Sequence, residues 1–171
     1  PVDRRQRQMC IRDSQQGVAL ANYAERSGDI GTMKEAGAAF AEAAESHRHT
    51  GRERERARAL HNRGATLLHW ANHTKLAEDF RASAESSSIA AEIYATLSNE
   101  EGRGGRSGTL HNLGGALLEL ARDSQAPEDF QAAADVCAEA IELLRAVGDA
   151  ENLAESEERH ASALDLSLIH I

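Results

Sequence analysis

Aromatic residues, cysteine and proline are all scarce in this chain of 171 residues. Only 4% of the residues are aromatic, so the core cannot be built mainly from rings. The abundance of Ala instead suits closely packed helices. The two prolines are Pro1 and Pro127, and neither falls inside a predicted helix interior. The composition therefore favours an all-α fold.

The sequence also predicts no disulfide, no membrane-spanning helix and no basic surface. Of the two cysteines, Cys10 lies in an end segment that is set aside below, which leaves Cys137 alone and fits a reducing, cytoplasmic location. No apolar run approaches the ~20 residues that cross a bilayer. The net charge is −9 without a basic face, so we expect neither a nucleic-acid nor a membrane partner.

The two ends of the chain resemble sequencing-adapter remnants rather than parts of a fold. Residues 4–14 read RRQRQMCIRDS and residues 166–171 read LSLIHI. Plausible codings of residues 9–14 and 166–171 are reverse complements, and they resemble the transposon-end adapter of a sequencing library. We therefore expect a disordered tail over 1–14, a second tail over 166–171, and an interior fragment of a longer product. The alternative is a natural basic arm and a natural apolar tail.

A repeat with an offset of 50 residues runs through the middle of the chain. Leu60-His61-Asn62 recurs as Leu110-His111-Asn112, and Phe80 recurs as Phe130 at the same offset. An earlier copy aligns at an offset of 47, and a last half-copy begins near residue 150. This arrangement predicts helix pairs over 15–49, 51–98 and 102–147, with an extra helix over 150–165, giving about seven helices.

Apolar residues spaced by three and four predict the buried stripe of each second helix. The stripe of the middle pair is Phe80, Ala84, Ser87, Ala91, Tyr94 and Leu97, and its counterparts are Phe130, Ala134, Cys137, Ile141, Leu144 and Val147. Thr32 and Glu35 could form a capping box for the second helix of the first pair. Pro127 suits the first turn of a helix. The glycine-rich segment 102–109 is interpreted as a flexible connector, because it lacks the Lys of a phosphate loop and no strand precedes it. Weak anion binding by Arg103 and Arg106 is the alternative.

The strings LHNRGATLLHWA and LHNLGGALLELA resemble tetratricopeptide repeats. The resemblance covers residues 15–165 and implies a right-handed solenoid of antiparallel helix pairs, with repeats of about 50 residues rather than the family's shorter period. Arg63 departs from the pattern, which has Leu before the glycine. The resemblance implies that Gly64 and Gly114 let paired helices approach closely, which outweighs a helix penalty of about 1 kcal/mol.

The same resemblance implies a peptide-binding concave face formed by the first helix of each pair. Its candidate residues are His61, Asn62, Ala65, His69, His111, Asn112, Gly115 and Glu119. The side chains of Asn62 and Asn112 could hold backbone amides of a ligand, although helix capping or solvent exposure is an equal alternative. The acidic composition favours a neutral or basic peptide. The only lysines, Lys34 and Lys75, are not at inward positions, which disfavours clamping of a peptide carboxylate.

The residues predict no catalytic, cofactor or metal site. His69 and His73 lack the acidic residue of a metalloprotease motif, and Cys137 lies on an apolar stripe. The run from Arg52 to Arg56 is interpreted as a solvated face with internal ion pairs. We therefore expect a protein-interaction scaffold rather than an enzyme. Two alternatives stay open: a regulatory or sensor segment of a larger bacterial signalling enzyme, and a self-association module of undetermined oligomeric state.

Overall fold

The computed structural model describes the backbone of residues 4–169 and the side chains of Arg12 and residues 14–169. This part of the chain consists of seven α-helices and contains no strand. Connections of two to four residues make successive helices antiparallel neighbours. The helices are α1 (Arg4–Ser27), α2 (Ile30–His49), α3 (Glu53–Thr74), α4 (Ala77–Ala95), α5 (Glu100–Ser124), α6 (Pro127–Val147) and α7 (Ala150–Ile169). The fold is a helical repeat, as the internal periodicity predicts.

Both terminal helices extend into the segments that the sequence analysis treats as tails. Helix α1 begins at Arg4 and α7 ends at Ile169. Residues 4–14 are therefore helical, whereas the sequence analysis expects them to be disordered. These residues contain no glycine or proline and are rich in Arg and Gln, which favour helix. Residues 1–3 and 170–171 lie outside the described residues. Helicity does not bear on how the ends were encoded, and their adapter origin stays a prediction.

Helix α2 begins earlier than the proposed capping box allows, and that prediction is wrong. Asp29 is the N-cap, and its Oδ1 accepts a hydrogen bond from the Gly31 amide at 3.1 Å. Thr32 donates its hydroxyl to Asp29 Oδ2 at 2.8 Å, from inside the first turn. A carboxylate satisfies a free amide at a helix start as well as a hydroxyl does, and Asp29 stands nearer the turn. Pro127 is the first residue of α6, as predicted.

Glycines at equivalent repeat positions bring the two helices of each pair together. A Cβ on Gly17 would lie 2.7 Å from the Phe40 ring, and one on Gly114 would lie 2.6 Å from Cys137 Sγ. A Cβ on Gly64 would collide with the Ser87 hydroxyl in the same way. No Cβ fits at such distances without displacing its neighbour. The predicted close approach at Gly64 and Gly114 is therefore confirmed, and Gly17 repeats it in the first pair.

The stripe of the second helices forms the core, as its spacing predicts. Phe40, Phe80 and Phe130 are 2%, 3% and 0% exposed. Half of the remaining positions are small, which allows neighbouring helices to pack closely over them: Ala84, Ser87, Ala91, Ala134 and Cys137. Leu97 and Ile141 are half-buried, and Val147 at the last residue of α6 is 39% exposed. The stripe ends there because the chain turns away at Gly148, where φ is +77°.

The glycine-rich segment 102–109 belongs to α5, so its interpretation as a connector is wrong. Asn99 caps this helix by accepting from the Gly102 amide at 2.8 Å. A Cβ on Gly105 would collide with the Tyr94 ring, and one on Gly108 would lie 3.3 Å from His61 Cε1. Glycines three residues apart thus line the side of α5 that faces its neighbours. Close packing explains them here, and chain flexibility does not.

Candidate peptide-binding face

The first helices α1, α3, α5 and α7 form one side of the molecule. Helix α3 packs directly on α5, and α5 packs on α7. Among the described residues, α1 and α3 make at most marginal contact with each other; α2 packs against both of them, and α3 also packs against α4. The face is therefore closed along most of its length and open at the first junction.

His61 links α3 to α5. Its Nδ1 lies 2.9 Å from Thr109 Oγ1. The Thr109 hydroxyl donates its single hydrogen to the Gly105 carbonyl at 2.6 Å, so it accepts from His61 and the imidazole carries its proton on Nδ1. Burial of the ring lowers the pKa of His61. His61 is therefore a neutral structural link near pH 7.

His111 occupies the equivalent position between α5 and α7. It is 7% exposed, and its Nδ1 lies 2.9 Å from Ser156 Oγ. Arg159 donates to the His111 carbonyl oxygen at 2.9 Å, and the same Nη1 lies 3.2 Å from the ring Nε2. Burial is the main cause that lowers the pKa of His111, and the Arg159 charge adds to it. Glu155 pairs with Arg159 and, together with Asp149, opposes that shift.

These two contacts are one interaction repeated, which we call the histidine–hydroxyl bridge. His61 and His111 are related by the offset of 50, and Thr109 and Ser156 by the offset of 47. At the first junction the same alignment places Ser14 at the histidine position and Ala59 at the hydroxyl position, so neither an imidazole nor its partner is available there. Ser14 Oγ instead lies 3.4 Å from His47 Nε2 of α2. The absence of a bridge accompanies the separation of α1 from α3.

The separation leaves a groove of about 480 Å³, which we call the α1–α3 groove. Its lining is Ser14, Gln15, Val18, Ala19, Asn22, Phe40, Arg58, Ala59 and Asn62. Phe40 is nearly buried, whereas Val18 is 43% exposed. The lining contains one cation and no carboxylate, and Arg58 forms no ion pair within the described part of the chain.

A second cleft of about 270 Å³ lies against α3, α5 and α7, and it is polar. Glu119 pairs with Arg122, whose second terminal nitrogen donates to Ser162 Oγ at 3.1 Å. Glu155 pairs with Arg159, one turn away on α7. Its cations already have carboxylate partners from the same face, so this cleft offers less to an incoming charge than the α1–α3 groove.

The structure distributes the predicted face residues over several environments. Asn62 lines the α1–α3 groove, and Gly115 and Glu119 line the polar cleft. Ala65 and His69 line a smaller recess of about 200 Å³ beside Met33 of α2. His61 and His111 belong to the bridges, and Asn112 is half-buried on α5.

Several residues of the face do not emerge from the sequence reasoning. Val18, Phe40 and Arg58 line the groove, and Arg159 joins α7 to α5. For Arg159 the sequence does carry a signal, because the offset of 47 aligns it with the candidate Asn112. The sequence predicts Phe40 only as a core residue, and nothing in the pattern indicates that α1 leaves one edge of it accessible.

The surroundings of the remaining histidine and cysteine candidates do not indicate catalysis or metal binding. His69 and His73 lie one turn apart on α3, both are exposed, and their rings stack with centroids 5.3 Å apart. Burial raises the pKa of Cys137 to about 11, so its reactive thiolate is scarce near pH 7. No group of three His, Cys, Asp or Glu residues able to hold a metal ion occurs among the described residues.

The arginine–glutamate run carries the ion pairs that its spacing predicts. Arg52 pairs with Glu55 at 2.5 Å and Arg56 pairs with Glu53 at 3.0 Å. A further pair joins Arg54 to Glu101 of α5, which sequence spacing alone does not reveal. Exposed pairs of this kind contribute little each, about 0–1 kcal/mol.

No protein-family model matches the sequence, and no curated protein is significantly similar to it. Three solved structures share its helical architecture at low similarity. The DHF58 filament is 16% identical with a TM-score of 0.45, over 94% of this chain and 93% of that chain. The DHF119 filament is 19% identical with a TM-score of 0.41, over 96% and 84%. The de novo designed helical repeat protein DHR64 is 15% identical with a TM-score of 0.40, over 96% and 97%.

Among residues 4–169, no helix has both the length and the apolar character that a membrane crossing requires. Likenesses this distant do not distinguish a tetratricopeptide array from other helical repeats. Membership of that family stays a prediction, and the functional argument depends on the face itself.

Proposed function

We propose that the chain is a protein-interaction scaffold that binds an extended peptide segment in the α1–α3 groove. The observation that carries this proposal is the missing histidine–hydroxyl bridge, which leaves a groove with apolar walls on the face that the repeat resemblance assigns to ligands. Helix pairs elsewhere on this face pack together and leave no comparable apolar opening among the described residues. A binding role also agrees with the buried, weakly acidic thiol of Cys137, which is poorly suited to nucleophilic catalysis.

The groove lining defines the ligand that it fits. Val18, Ala19 and Ala59 would contact an apolar side chain of the peptide, and burial of that side chain supplies about 25 cal/mol per Å². The amides of Asn22 and Asn62 stand where they could donate to and accept from a peptide backbone. Pockets that combine apolar walls with a few polar groups are typical ligand sites.

The charge at this groove changes the expected ligand. Overall acidity favours a neutral or basic peptide, yet Arg58 is the only charged residue among the described residues of the lining. We therefore propose that the peptide is neutral or carries an acidic residue beside its apolar anchor. Local charge outweighs the net charge of the chain because screening limits the reach of distant surface charges to about 10 Å.

The test compares fluorescently labelled peptide pools that share an apolar centre and differ in flanking charge. Fluorescence anisotropy with the intact chain should show tighter binding of the acidic pool than of the basic pool. Ala19→Trp fills the groove and should weaken binding at least ten-fold. Ala138→Trp adds the same side chain in a recess between α6 and α7 and should leave binding unchanged. If the two substitutions weakened binding equally, the α1–α3 groove would not be the binding site.

Self-association is a second candidate because large apolar side chains are exposed near the end of α7. Leu164 lies within the repeat array and is 37% exposed, and Leu168 and Ile169, in the end segment with the predicted adapter origin, are 71% and 73% exposed. Sedimentation over a hundred-fold concentration range should show a rising mass if they mediate contacts between copies. The double variant Leu164→Glu, Leu168→Glu should then remain monomeric. A constant mass of the unmodified chain would eliminate this candidate.

A regulatory role within a larger bacterial signalling enzyme is compatible with the same groove. In that case the ligand would be a segment of the enzyme itself, and the peptide-binding measurements above would apply without change.

A further inference from the structure

The two histidine–hydroxyl bridges differ in one respect that has a chemical consequence. On α5, the residues that face the His61 ring are Gly108 and Thr109, and neither is charged. His111 faces three charged groups, all on α7 or on the connection before it: Arg159, Glu155 and Asp149. The same imidazole therefore sits in a neutral interface at one junction and in a charged one at the next.

The guanidinium of Arg159 lies directly against the His111 ring. Its Nη1 is 3.2 Å from Nε2 and 3.4 Å from Nδ1, and it also donates to the His111 carbonyl oxygen. A neutral imidazole offers a nitrogen lone pair and ring electron density to this cation. A protonated ring has no free lone pair, attracts a cation less through its ring electrons, and carries the same charge as Arg159. Protonation of His111 therefore turns an attractive contact into a repulsive one.

Arg159 does more than contact the ring. A Cβ on Gly115 would lie 2.9 Å from Arg159 Cζ, so the guanidinium packs flat on the glycine surface of α5. Its other terminal nitrogen pairs with Glu155, one turn away on α7. The side chain is only 17% exposed, so it cannot leave the ring without leaving the interface. A change at His111 is thereby transmitted to the packing of α7.

We propose that His111 and Arg159 form a proton-sensitive latch that holds α7 against α5 and releases it when the His111 ring is protonated. Release would expose Gly115 and widen the polar cleft that Gly115 and Arg159 line. Glu155 Oε2, 3.4 Å from His111 Nε2, would accept a hydrogen bond from the protonated ring. Glu155 pairs with Arg159 through its other oxygen, Oε1, so this bond offsets part of the repulsion without breaking that pair, and the direct contact between Arg159 and His111 stays repulsive.

The direction of the pH dependence follows from the lowered pKa of His111 in the closed interface. The open state has the ordinary value of 6.5 and binds a proton more readily than the closed state. The latch is therefore complete above pH 6.5 and weakens as the pH falls below it. At one unit below that value, the opening equilibrium constant of α7 should rise by at most about ten-fold.

The test is hydrogen exchange of the α7 amides in the full chain at pH 7.5 and 5.5, corrected for the intrinsic exchange rate. The unmodified chain should show a several-fold loss of protection in α7 at the lower pH. His111→Asn keeps a polar side chain opposite Ser156 but cannot titrate, so it should abolish this loss. His61→Asn changes the equivalent uncharged bridge and should leave the α7 response intact.

Two further measurements separate the latch from a general loss of structure. An NMR titration of the His111 ring in the folded chain should give a pKa below 6.5, and Arg159→Gln should raise it. The latch is wrong if the His111 pKa is 6.5 or higher, if α7 of the unmodified chain opens equally at both pH values, or if His111→Asn retains the full response. If His111→Asn opens α7 at both pH values, exchange in that variant is uninformative. The His111 pKa in the unmodified chain and in Arg159→Gln then decides whether the latch exists.

Discussion

The first junction of the array and the last are built from the same repeat but join their helices differently. Within each pair, a glycine of the first helix meets a side chain of the second, at Gly17 as at Gly114. Between pairs, α5 and α7 are joined by His111 and Arg159, whereas no such link joins the described residues of α1 and α3. The contact inside a pair is thus retained where the contact between pairs is lost.

The difference indicates how such an array can acquire a binding surface without a change of fold. Glycine contacts bury apolar neighbours and set the geometry of each pair. Bridges between pairs are polar, involve two or three side chains, and can be absent at one junction without removing the core. The groove at α1–α3 occurs where Ser14 and Ala59 replace the bridging residues.

The largest expected effect comes from overpacking the contact inside a pair. Gly114→Leu should lower the free energy of unfolding by about 3 kcal/mol, because Cys137 Sγ is buried and cannot move aside. Gly17→Leu should cost about 1 kcal/mol less, because Phe40 borders the open α1–α3 groove and its ring has space to move. Urea denaturation followed by circular dichroism measures both values.

The control for these variants is Gly104→Leu. Gly104 lies inside α5, and a Cβ added there would meet no heavy atom of a neighbouring element within 4 Å. This change should therefore be neutral or slightly stabilising through helix propensity. A loss at Gly104 as large as that at Gly114 would mean that the helix, and not the packing of the pair, is disturbed.

Much of the fold can be predicted from sequence because it depends on local periodicity. The repeat offset locates the helix pairs, and the glycine role at Gly64 and Gly114 follows from the repeat resemblance. The interpretation of segment 102–109 fails because glycine lowers helix propensity, and propensity says nothing about the Tyr94 ring that packs against Gly105. A tertiary contact there overrides the local preference.

The candidate site is less predictable because it depends on distances between helices that are far apart in sequence. The sequence identifies Asn62, and Arg58 lies one turn before it on α3, but Val18 and Phe40 come from α1 and α2. The repeat resemblance predicts that His111 contacts a ligand, because its position matches the inward face of the family. Its burial depends on Arg159, 48 residues away, and only the structure brings the two together.

An intermediate effect is expected from breaking one bridge. Thr109→Val keeps the shape of the side chain and removes the acceptor of the His61 N–H, which should cost about 1 to 2 kcal/mol. The cost arises because His61 is left with an unpaired polar group in the α3–α5 interface. Thr96→Val, at an exposed position after α4, should change the free energy of unfolding by less than about 0.5 kcal/mol. Equal costs at the two threonines would contradict a structural role for the bridge.

The smallest effect, and the most direct test of the comparison, comes from building a bridge where none exists. The double variant Ser14→His, Ala59→Thr places both bridging residues at the first junction in the register found at His61 and Thr109. One added hydrogen bond should raise the free energy of unfolding by about 0.5 to 1 kcal/mol. It should also draw α1 toward α3, narrow the α1–α3 groove and weaken binding of the acidic–apolar peptide pool. Each single variant lacks the bridging partner, so it should neither stabilise the chain nor weaken peptide binding. Stabilisation by Ala59→Thr alone would mean that packing, and not the bridge, raises the free energy of unfolding. If the double variant is stabilised while peptide binding is unchanged, the ligand does not occupy this groove.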